Sequence, residues 1–316
     1  MKVGVTGGAG FIGGHVIDTL IAHGHEPLVF DHHNRRLHRD DVEVLLGDVR
    51  DETAVFELAA HVDAIIHLAA VLGTQETIQR PRPSAETNIL GSLNVFEAAD
   101  RYQLPIVYAG VGNHWMRAHG AGSYTISKTC AEDYARMYNA YRGGRITIVR
   151  PVNAYGPRQS VAAPYGPSKV RKILPSLTCR ALTGAPLEIY GDGTQVSDCV
   201  YVTDVAEAFV TALEHTAAHG PTERPVEVGP ATSATVLEVA HLVATAAADI
   251  TGGLRVDIVH LPMRPGEIPN SVVSADVTTL AQIGMNAATF VPLEDGVRRT
   301  VEWYATHWLP TWKAKH

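Results

Sequence analysis

The 316-residue sequence has few cysteines, no excess of positive charge and no long apolar run. Its three cysteines, Cys130, Cys179 and Cys199, are too few and too scattered for a disulfide framework or a zinc site, so we expect small core residues. The net charge of −7 argues against a nucleic-acid partner. No run approaches the roughly 20 apolar residues of a membrane helix, and Met1 leads into a strand-like run without a leader segment. We therefore expect a cytosolic protein that binds neither nucleic acid nor a membrane.

The composition is that of a globular protein, with 46% hydrophobic and 19% charged residues. The length suits one large or two smaller domains. The 16 histidines are mostly isolated, and no His, Cys and carboxylate set has ligand spacing. We therefore expect chemistry that does not depend on a metal.

Short apolar runs alternate with helix-length segments through the first half of the chain. The segments 84–102, with Ser84 as a helix cap, and 124–141 are predicted helices. Buried strands are predicted at 3–6, 28–30, 44–46, 64–68, 106–108 and 146–149. This alternation predicts an α/β fold with a Rossmann-type, doubly wound parallel sheet.

After Arg150 the pattern loosens into loops rich in proline and glycine. The alternation returns briefly with a strand at 200–202 and a helix after it. We predict a sheet domain over 1–155, to which 196–220 returns. A smaller, discontinuous α/β lobe is predicted over 156–195 and 221–316.

A glycine-rich segment, TGGAGFIGG, follows the first strand and opens a helix. Gly7 permits a tight turn, Gly10 lets the backbone approach a diphosphate, and Gly13 allows close packing of the helix. The helix N-terminus adds N–H groups and a positive dipole end. In this context the series predicts a dinucleotide site.

Asp31 ends the second strand, where a carboxylate binds a ribose 2′-hydroxyl. Its charge repels a 2′-phosphate, which favours NAD over NADP. Arg35 and Arg36 keep NADP open as an alternative.

Tyr124 and Lys128 stand at i and i+4, on one face of a predicted helix. A phenol is a poor base at neutral pH. A nearby ammonium, together with a nicotinamide's positive charge, is expected to lower the pKa of Tyr124 and make it a proton acceptor. A tyrosine stacked on a lysine stem is the alternative.

Over nearly its whole length the chain resembles an extended short-chain dehydrogenase/reductase of the NAD-dependent sugar-nucleotide epimerase/dehydratase family. The matching segments are GGAGFIGG (7–14), GDVRD (47–51), HLAA (67–70), NILGSLN (88–94), YTISK (124–128), RPVNAYGPRQ (150–159), IYGDGTQ (189–195), VYVTDVAEA (200–208) and RPGE (264–267).

The resemblance implies an NAD-binding sheet domain and a lobe for the sugar nucleotide. It implies Tyr124 as acid/base and Lys128 on the nicotinamide ribose. Residues expected along the cofactor, besides the glycines and Asp31, are Phe11, Ile12, Asp48, Val49, Leu68, Ala69, Ala70, Asn88 and Pro151. Residues expected at the substrate are Asn153, Tyr190 and Arg264, with Arg171 or Lys172 as further phosphate contacts.

Segment 74–76, which contains Thr74, either lines the sugar pocket or caps the next helix. Ser197 stands where the family often has an arginine that contacts phosphate. More of the phosphate contact is therefore expected from Arg264.

The pattern departs from the family after the fifth strand. The usual Ser or Thr, which donates to the reacting oxygen, is replaced by Val111, and Tyr124 follows after only 13 residues. Asn113, Ser123, Thr74 or an ordered water is expected to take over, with His114 less favoured; the alternative is a weakened or altered chemistry.

The following Gly112 and Asn113 supply no carboxylate, which disfavours a dehydratase or decarboxylase unless Glu76 reaches the site. The sequence therefore favours an epimerase, acting at C4 of a UDP-hexose through a keto sugar. A dehydratase or decarboxylase, and a cofactor-binding sensor without turnover, remain the alternatives.

The family commonly pairs through two helices, here near 84–102 and 124–141. Apolar residues at helical spacing on the second are Ile126, Cys130, Tyr134, Met137 and Tyr141. We expect a homodimer, although a core-facing stripe has the same spacing.

Overall fold

The computed structural model describes residues 1–32, 39–73, 76–115, 122–162, 165–166, 170, 172–263 and 270–315. The chain divides into two compact units, each built from three segments. The first unit comprises Met1–Pro151, Thr203–Val228 and Asp276–Ala287, and the second comprises Val152–Val202, Gly229–Ala275 and Ala288–His316. No helix in the described ranges is long and apolar enough to cross a membrane.

The strands are β1 (Lys2–Thr6), β2 (Glu26–Asp31), β3 (Glu43–Leu46), β4 (Ala64–His67), β5 (Ile106–Ala109), β6 (Ile146–Pro151), β7 (Ala154–Tyr155), β8 (Leu187–Tyr190), β9 (Val196–Ser197), β10 (Val200–Tyr201), β11 (Val226–Val228), β12 (Ile258–Leu261) and β13 (Val272–Val273). The α-helices are α1 (Phe11–Ala22), α2 (Glu52–Ala60), α3 (Glu76–Gln79), α4 (Pro81–Ala85), α5 (Gly91–Tyr102), α6 (Ser123–Tyr141), α7 (Ile173–Leu182), α8 (Val202–His219), α9 (Val236–Thr251), α10 (Leu293–Trp303) and α11 (Leu309–Lys313).

Seven parallel strands form one sheet in the first unit, in the order β11-β6-β5-β4-β1-β2-β3. Val3, Val5, Ile65 and Ile66 in the central strands are fully shielded from solvent, as in a parallel sheet covered on both faces. The strand order reverses at β1, which lies between β2 and β4. Such sheets bind ligands at the carboxyl ends of the strands at this point. The predicted Rossmann-like fold is confirmed.

The edge strand β3 differs from the prediction. The run 44–46 was predicted to be buried, but Val44 is 44% and Leu46 56% exposed. β3 is the last strand in the sheet order, so its apolar side chains meet solvent. A short apolar run has the same sequence pattern in a central and an edge strand, which explains the error.

The helix predicted over 84–102 begins earlier and is interrupted. α4 starts at Pro81, which suits the first helical turn because it has no N–H to leave unpaired. A π-helical turn, Glu86–Leu90, then joins α4 to α5. The prediction of Ser84 as the cap was wrong, because its hydroxyl donates to the Pro81 carbonyl oxygen and lies 2.6 Å from Ser123 Oγ.

Three buried aromatic rings pack helices α5 and α6 against the sheet of the first unit. Phe96 of α5 lies 5.6 Å from Tyr108 of β5 and 5.9 Å from Tyr138 of α6, both edge to face. Such pairs stabilise a core by about 0.5–1.5 kcal/mol beyond the buried area. They determine which face of α6 lies against the sheet.

Helices α7, α9 and α10 pack around a separate core in the second unit, with β8 and β12 paired beside them. Leu177, Val243 and Val301 lie in that core. α9 begins with a capping box, in which Thr235 Oγ1 accepts the Glu238 N–H and Glu238 Oε2 accepts the Thr235 N–H.

Candidate active site

The turn between β1 and α1 leaves no room for a side chain at Gly7, and the start of α1 leaves none at Gly13. Gly7 has a φ of +70°, and a Cβ atom there would lie 2.8 Å from the amide nitrogen of Ala69. A Cβ atom on Gly13 would lie 2.5 Å from the Gly7 carbonyl oxygen. α1 starts after Gly10 and has no side-chain cap, so its first N–H groups are free of a capping side chain. This geometry fits a diphosphate.

Asp31 ends β2 beside this turn. Its Oδ2 accepts the Ala9 N–H at 3.2 Å, and only 10% of its side chain is exposed. The carboxylate stands where such sheets bind a ribose hydroxyl. Phe11 and Ile12 form the first turn of α1. The arginines that kept NADP open lie within 33–38, outside the described residues.

Asp48 and Val49, expected near an adenine, follow β3. Arg50 Nε lies 3.0 Å from each oxygen of Asp48, and the Arg50 N–H donates to Oδ1 at 2.9 Å. This guanidinium lowers the pKa of Asp48. Val49 is buried, and its carbonyl oxygen accepts from Asn94 Nδ2 at 2.9 Å. An open pocket of about 390 Å³ is lined by Asp48, Arg50, Asp51, Glu86 and Leu90.

His67 belongs to a buried chain of hydrogen bonds. Thr6 Oγ1 lies 2.6 Å from His67 Nδ1, and His67 Nε2 lies 3.0 Å from Ser92 Oγ. Ser92 donates its one hydroxyl proton to the Asn88 carbonyl oxygen at 2.7 Å. We therefore assign Nε2 as the protonated nitrogen of His67, with Nδ1 accepting from Thr6.

This chain positions the segment after β4, which contains the expected cofactor residues Leu68, Ala69 and Ala70. Thr6 Oγ1 accepts the Ala69 N–H at 3.2 Å. Burial lowers the pKa of His67 to about 3, so the ring is neutral at working pH. Sequence reasoning assigned His67 no role, although the HLAA segment was its signal.

Asn88 lies in the π-helical turn and joins two segments. Its Oδ1 accepts the Val71 N–H at 2.8 Å, and its Nδ2 donates to the Val71 carbonyl oxygen and to Ser127 Oγ. Ser127 in turn donates to the Tyr124 carbonyl oxygen at 2.9 Å. Asn88 thus connects the segment after β4 to the first turns of α6 by hydrogen bonds.

Tyr124 and Lys128 lie one turn apart on α6. Lys128 is buried, with Nζ 4.1 Å from the centre of the Tyr108 ring. Burial lowers the pKa of Lys128 to about 7, against the opposing charge of Glu132. Burial also raises the pKa of Tyr124 to about 12, with a further contribution from Glu132. In the protein alone, desolvation of the phenol dominates; the lowering expected from Lys128 together with a nicotinamide's positive charge stays a prediction.

Val111 stands at the end of the turn that follows β5 and is buried. Its N–H donates to Glu132 Oε1 at 3.2 Å. His114, three residues later, has Nε2 3.9 Å from Glu227 Oε1. Burial lowers the pKa of His114, and the Arg150 charge adds to this effect.

Two of the expected replacement donors already have hydrogen-bond partners. Asn113 Oδ1 accepts from the Thr125 hydroxyl at 3.3 Å. Ser123 Oγ lies 2.6 Å from Ser84 Oγ. Their predicted role at the reacting oxygen stays a prediction.

A buried ionic cluster joins α6, β6 and β11. Glu132 is fully buried, and Arg150 Nε lies within 3.2 Å of both its carboxylate oxygens. Arg150 Nη1 donates to Glu227 Oε1 at 3.2 Å, and Glu227 Oε2 accepts the Asp276 N–H at 2.8 Å. Sequence reasoning missed this cluster because its residues lie on different elements, far apart in the chain.

Three expected substrate residues lie in the second unit. Asn153 has a φ of +25°, and its Nδ2 donates to Ser197 Oγ at 3.0 Å and to the Asp198 carbonyl oxygen at 2.9 Å. Lys172 stands directly before α7, and Tyr190 ends β8. Asn153 thus contacts Ser197, the residue expected to stand where the family often has an arginine.

Pro151, expected at the cofactor, is the last residue of β6 in the first unit. Thr74, Arg171 and Arg264 lie outside the described residues.

The model of the NAD dependent epimerase/dehydratase family matches residues 3–229. A UDP-N-acetyl-alpha-D-glucosaminuronate decarboxylase from Bacillus cytotoxicus is 28% identical, over 95% of this chain and 96% of that protein.

Solved structures are similar over the same length. The UDP-glucose 4-epimerase of Thermotoga maritima, solved with UDP-glucose, is 28% identical, with a TM-score of 0.82 over 96% of this chain and 98% of that one. The UDP-glucose 4-epimerase of Thermus thermophilus, solved with NAD, is 29% identical, with a TM-score of 0.80 over 97% of this chain and 100% of that one.

Proposed function

The chain belongs to the NAD dependent epimerase/dehydratase family, and we propose that it is a sugar-nucleotide epimerase that inverts C4 of a UDP-hexose. One observation carries the proposal. Tyr124 and Lys128 share a face of α6, while no carboxylate stands between Val111 and Tyr124 in the sequence. Epimerisation needs a single proton acceptor at the hydroxyl, whereas loss of water also needs an acid for the leaving group.

The residues of the first unit support binding of NAD. Gly7 and Gly13 allow a turn so tight that a Cβ atom at either position would clash with backbone atoms, and this turn leads into the N-terminus of α1, where a diphosphate can bind. Asp31 offers acceptors to a ribose hydroxyl and disfavours a 2′-phosphate. Bound NAD supplies the hydride acceptor for the sugar carbon and a positive ring that favours the phenolate.

Tyr124 Oη would take the proton of the sugar C4 hydroxyl, with NAD as the acceptor of the hydride from the same carbon. Lys128 would stabilise the resulting negative charge and hold the nicotinamide ribose. Once the keto sugar had turned in its pocket, Tyr124 would give the proton back, with the reduced cofactor as the hydride donor to the other face. One side chain therefore serves both half-reactions.

The second unit is proposed as the sugar-nucleotide lobe. Asn153, Lys172 and Tyr190 lie in it at strand and helix ends, where binding residues are common. Arg171 and Arg264 are proposed as further diphosphate contacts because a guanidinium offers forked donors.

A lyase is the second candidate. The similarity to a decarboxylase over 95% of the chain favours it. It needs a carboxylate from elsewhere, and Glu76 at the start of α3 is the proposed source. A Cβ atom on Gly73 would lie 2.6 Å from Glu76 Oε2, so this carboxylate lies over the loop after β4.

A homodimer is proposed through α5 and α6. Ile126 is 48% and Tyr141 84% exposed, and Tyr134 is exposed too, whereas Met137 packs against the core. Exposed apolar side chains along one helix are typical of an interface. Sedimentation at micromolar concentration tests this, and a species of only 34.0 kDa contradicts it.

Proton NMR of the protein with a panel of UDP-sugars in heavy water tests the reaction. A C4-inverted product without carbon-bound deuterium supports direct hydride return. A product that has lost water or carbon dioxide supports the lyase. Tight NAD binding without turnover of any UDP-sugar supports the alternative of a cofactor-binding sensor.

The matched control for this experiment is Tyr124→Phe, which keeps the ring and removes the proton acceptor. Its rate should fall by about 10²–10⁴-fold. An unchanged rate would exclude Tyr124 as the acid/base.

A further inference from the structure

Lys128 is a buried cation without a directly bound counter-ion. In the described part of the chain no carboxylate lies within salt-bridge distance of it. The titratable groups around it are His67 from β4, Tyr108 from β5, and Tyr124 and Glu132 from α6. Burial keeps the imidazole and both phenols neutral at pH 7. The negative charge that reaches Lys128 is therefore that of Glu132, one helical turn away.

The cluster around Glu132 has more negative than positive charge in its interior. Glu132 and Glu227 share one buried guanidinium, that of Arg150. A second guanidinium, that of Arg136, lies 3.3 Å from Glu132 Oε2 but is 46% exposed, so water screens it. A buried excess charge needs an opposite charge nearby, and Lys128 is one turn along the same helix face.

Glu132 also hydrogen-bonds the backbone of the turn that follows β5. Its Oε1 accepts the Val111 N–H, and a Cβ atom on Gly110 would lie 2.5 Å from the same oxygen. The backbone of that turn and the carboxylate are thus in direct contact. One side chain connects Lys128, the Arg150 cluster and the position that lacks a hydroxyl.

We infer that Glu132 is a positioning residue, which acts as the counter-charge of the Lys128 ammonium and anchors the turn at Val111. The inference rests on the proposed function only for the catalytic role of Lys128. Without the carboxylate, Lys128 is expected to be a neutral amine at pH 7. A neutral amine gives no electrostatic support to a phenolate at Tyr124.

The test is an NMR titration of the full-length protein labelled with ¹³C at the lysine ε carbons. The chain has six lysines, and Lys128→Arg assigns the resonance. The wild-type pKa of Lys128 is expected at about 7. Glu132→Gln keeps the shape and removes the charge, so that pKa should fall. Glu132→Asp keeps the charge, so the pKa of Lys128 in this variant should lie closer to the wild-type value than in Glu132→Gln.

Glu227→Gln is the matched control, because it removes the other carboxylate of Arg150 without touching α6. It should move the pKa of Lys128 less than Glu132→Gln does. An unchanged titration in Glu132→Gln, or an equal shift in Glu227→Gln, overturns the inference. A merely structural role for Glu132 would not move this titration.

If Glu132→Gln does not fold, Glu132→Asp is compared with Glu227→Asp in its place. Shortening the Glu132 side chain moves its carboxylate relative to Lys128, so the pKa of Lys128 should fall by more than it does in Glu227→Asp. Equal shifts, or no shift in Glu132→Asp, would contradict the inference. None of these readouts uses a sugar nucleotide, so failure of the epimerase proposal is recognised separately, by the turnover assay.

Discussion

Replacing Thr6 with valine keeps the shape of the side chain and removes one hydroxyl from the buried chain at His67. Thr6 Oγ1 donates to His67 Nδ1 and accepts the Ala69 N–H. Leaving the buried Nδ1 without a partner costs about 1–3 kcal/mol, and losing the bond to the partly buried Ala69 N–H adds about 0.5–1.5 kcal/mol. We expect Thr6→Val to lower the free energy of unfolding by about 2–4 kcal/mol.

Urea denaturation measures this change from the midpoint at constant slope. The matched control is Thr178→Val in α7, where a fully buried hydroxyl has no hydrogen-bond partner among the described residues. The same substitution there should be neutral or stabilising. If the two variants differ from wild type by equal amounts, the hydrogen-bond chain at His67 does not stabilise the fold as reasoned. NAD affinity should also fall in Thr6→Val, because Ala69 loses its support.

Two further predictions concern the cofactor site, and a third concerns the ion pairs of His23 at the surface. Gly13→Ala should abolish NAD binding in calorimetry, because its Cβ atom would lie 2.5 Å from a backbone oxygen; retained affinity contradicts the tight turn. Asp31→Ser should weaken NAD binding by about 1.5–3 kcal/mol, or roughly ten- to hundredfold, and improve NADP relative to NAD in the same titrations. Burial opposes a charge on His23, but its contacts with Glu214 and Glu207 outweigh this and raise its pKa. The resulting stability, at most about 1 kcal/mol, is present below pH about 6.5 and lost as pH rises through the raised pKa. His23→Asn should therefore lower the urea midpoint at pH 6 but not at pH 9, and an equal loss at both would refute the charge effect.

The parallel sheet could be predicted because each central strand is a short apolar run followed by a helix-length segment. β4 and β6 begin where the runs 64–68 and 146–149 begin. The apolar spacing within 84–102 does not show that α4 starts at Pro81, although proline at the first helical position is a local signal. The contact of Ser84 with Ser123, far along the chain, could not be predicted from local patterns.

In the candidate site, too, some features follow from local sequence spacing and others depend on packing between distant elements. The spacing of Tyr124 and Lys128 predicts one helix face, and that spacing is local. The pKa values of both groups depend on burial, which is a property of the packed sheet and helices. Glu132 could not be linked to Arg150 from the sequence because the partners lie on different elements, although its position four residues after Lys128 was visible.

The first unit is interrupted twice along the chain, and this affects the order in which it is completed during synthesis. Strand β11 pairs with β6, yet residues 152–202 of the second unit lie between them in the chain. Glu227 in β11 then receives the N–H of Asp276, which is made still later. Six strands can therefore assemble early with one edge still unpaired, and closing that edge requires a long chain loop. A ribosome-bound fragment that ends before residue 226 exposes the edge of β6, which is the place where a chaperone or another nascent chain would bind first.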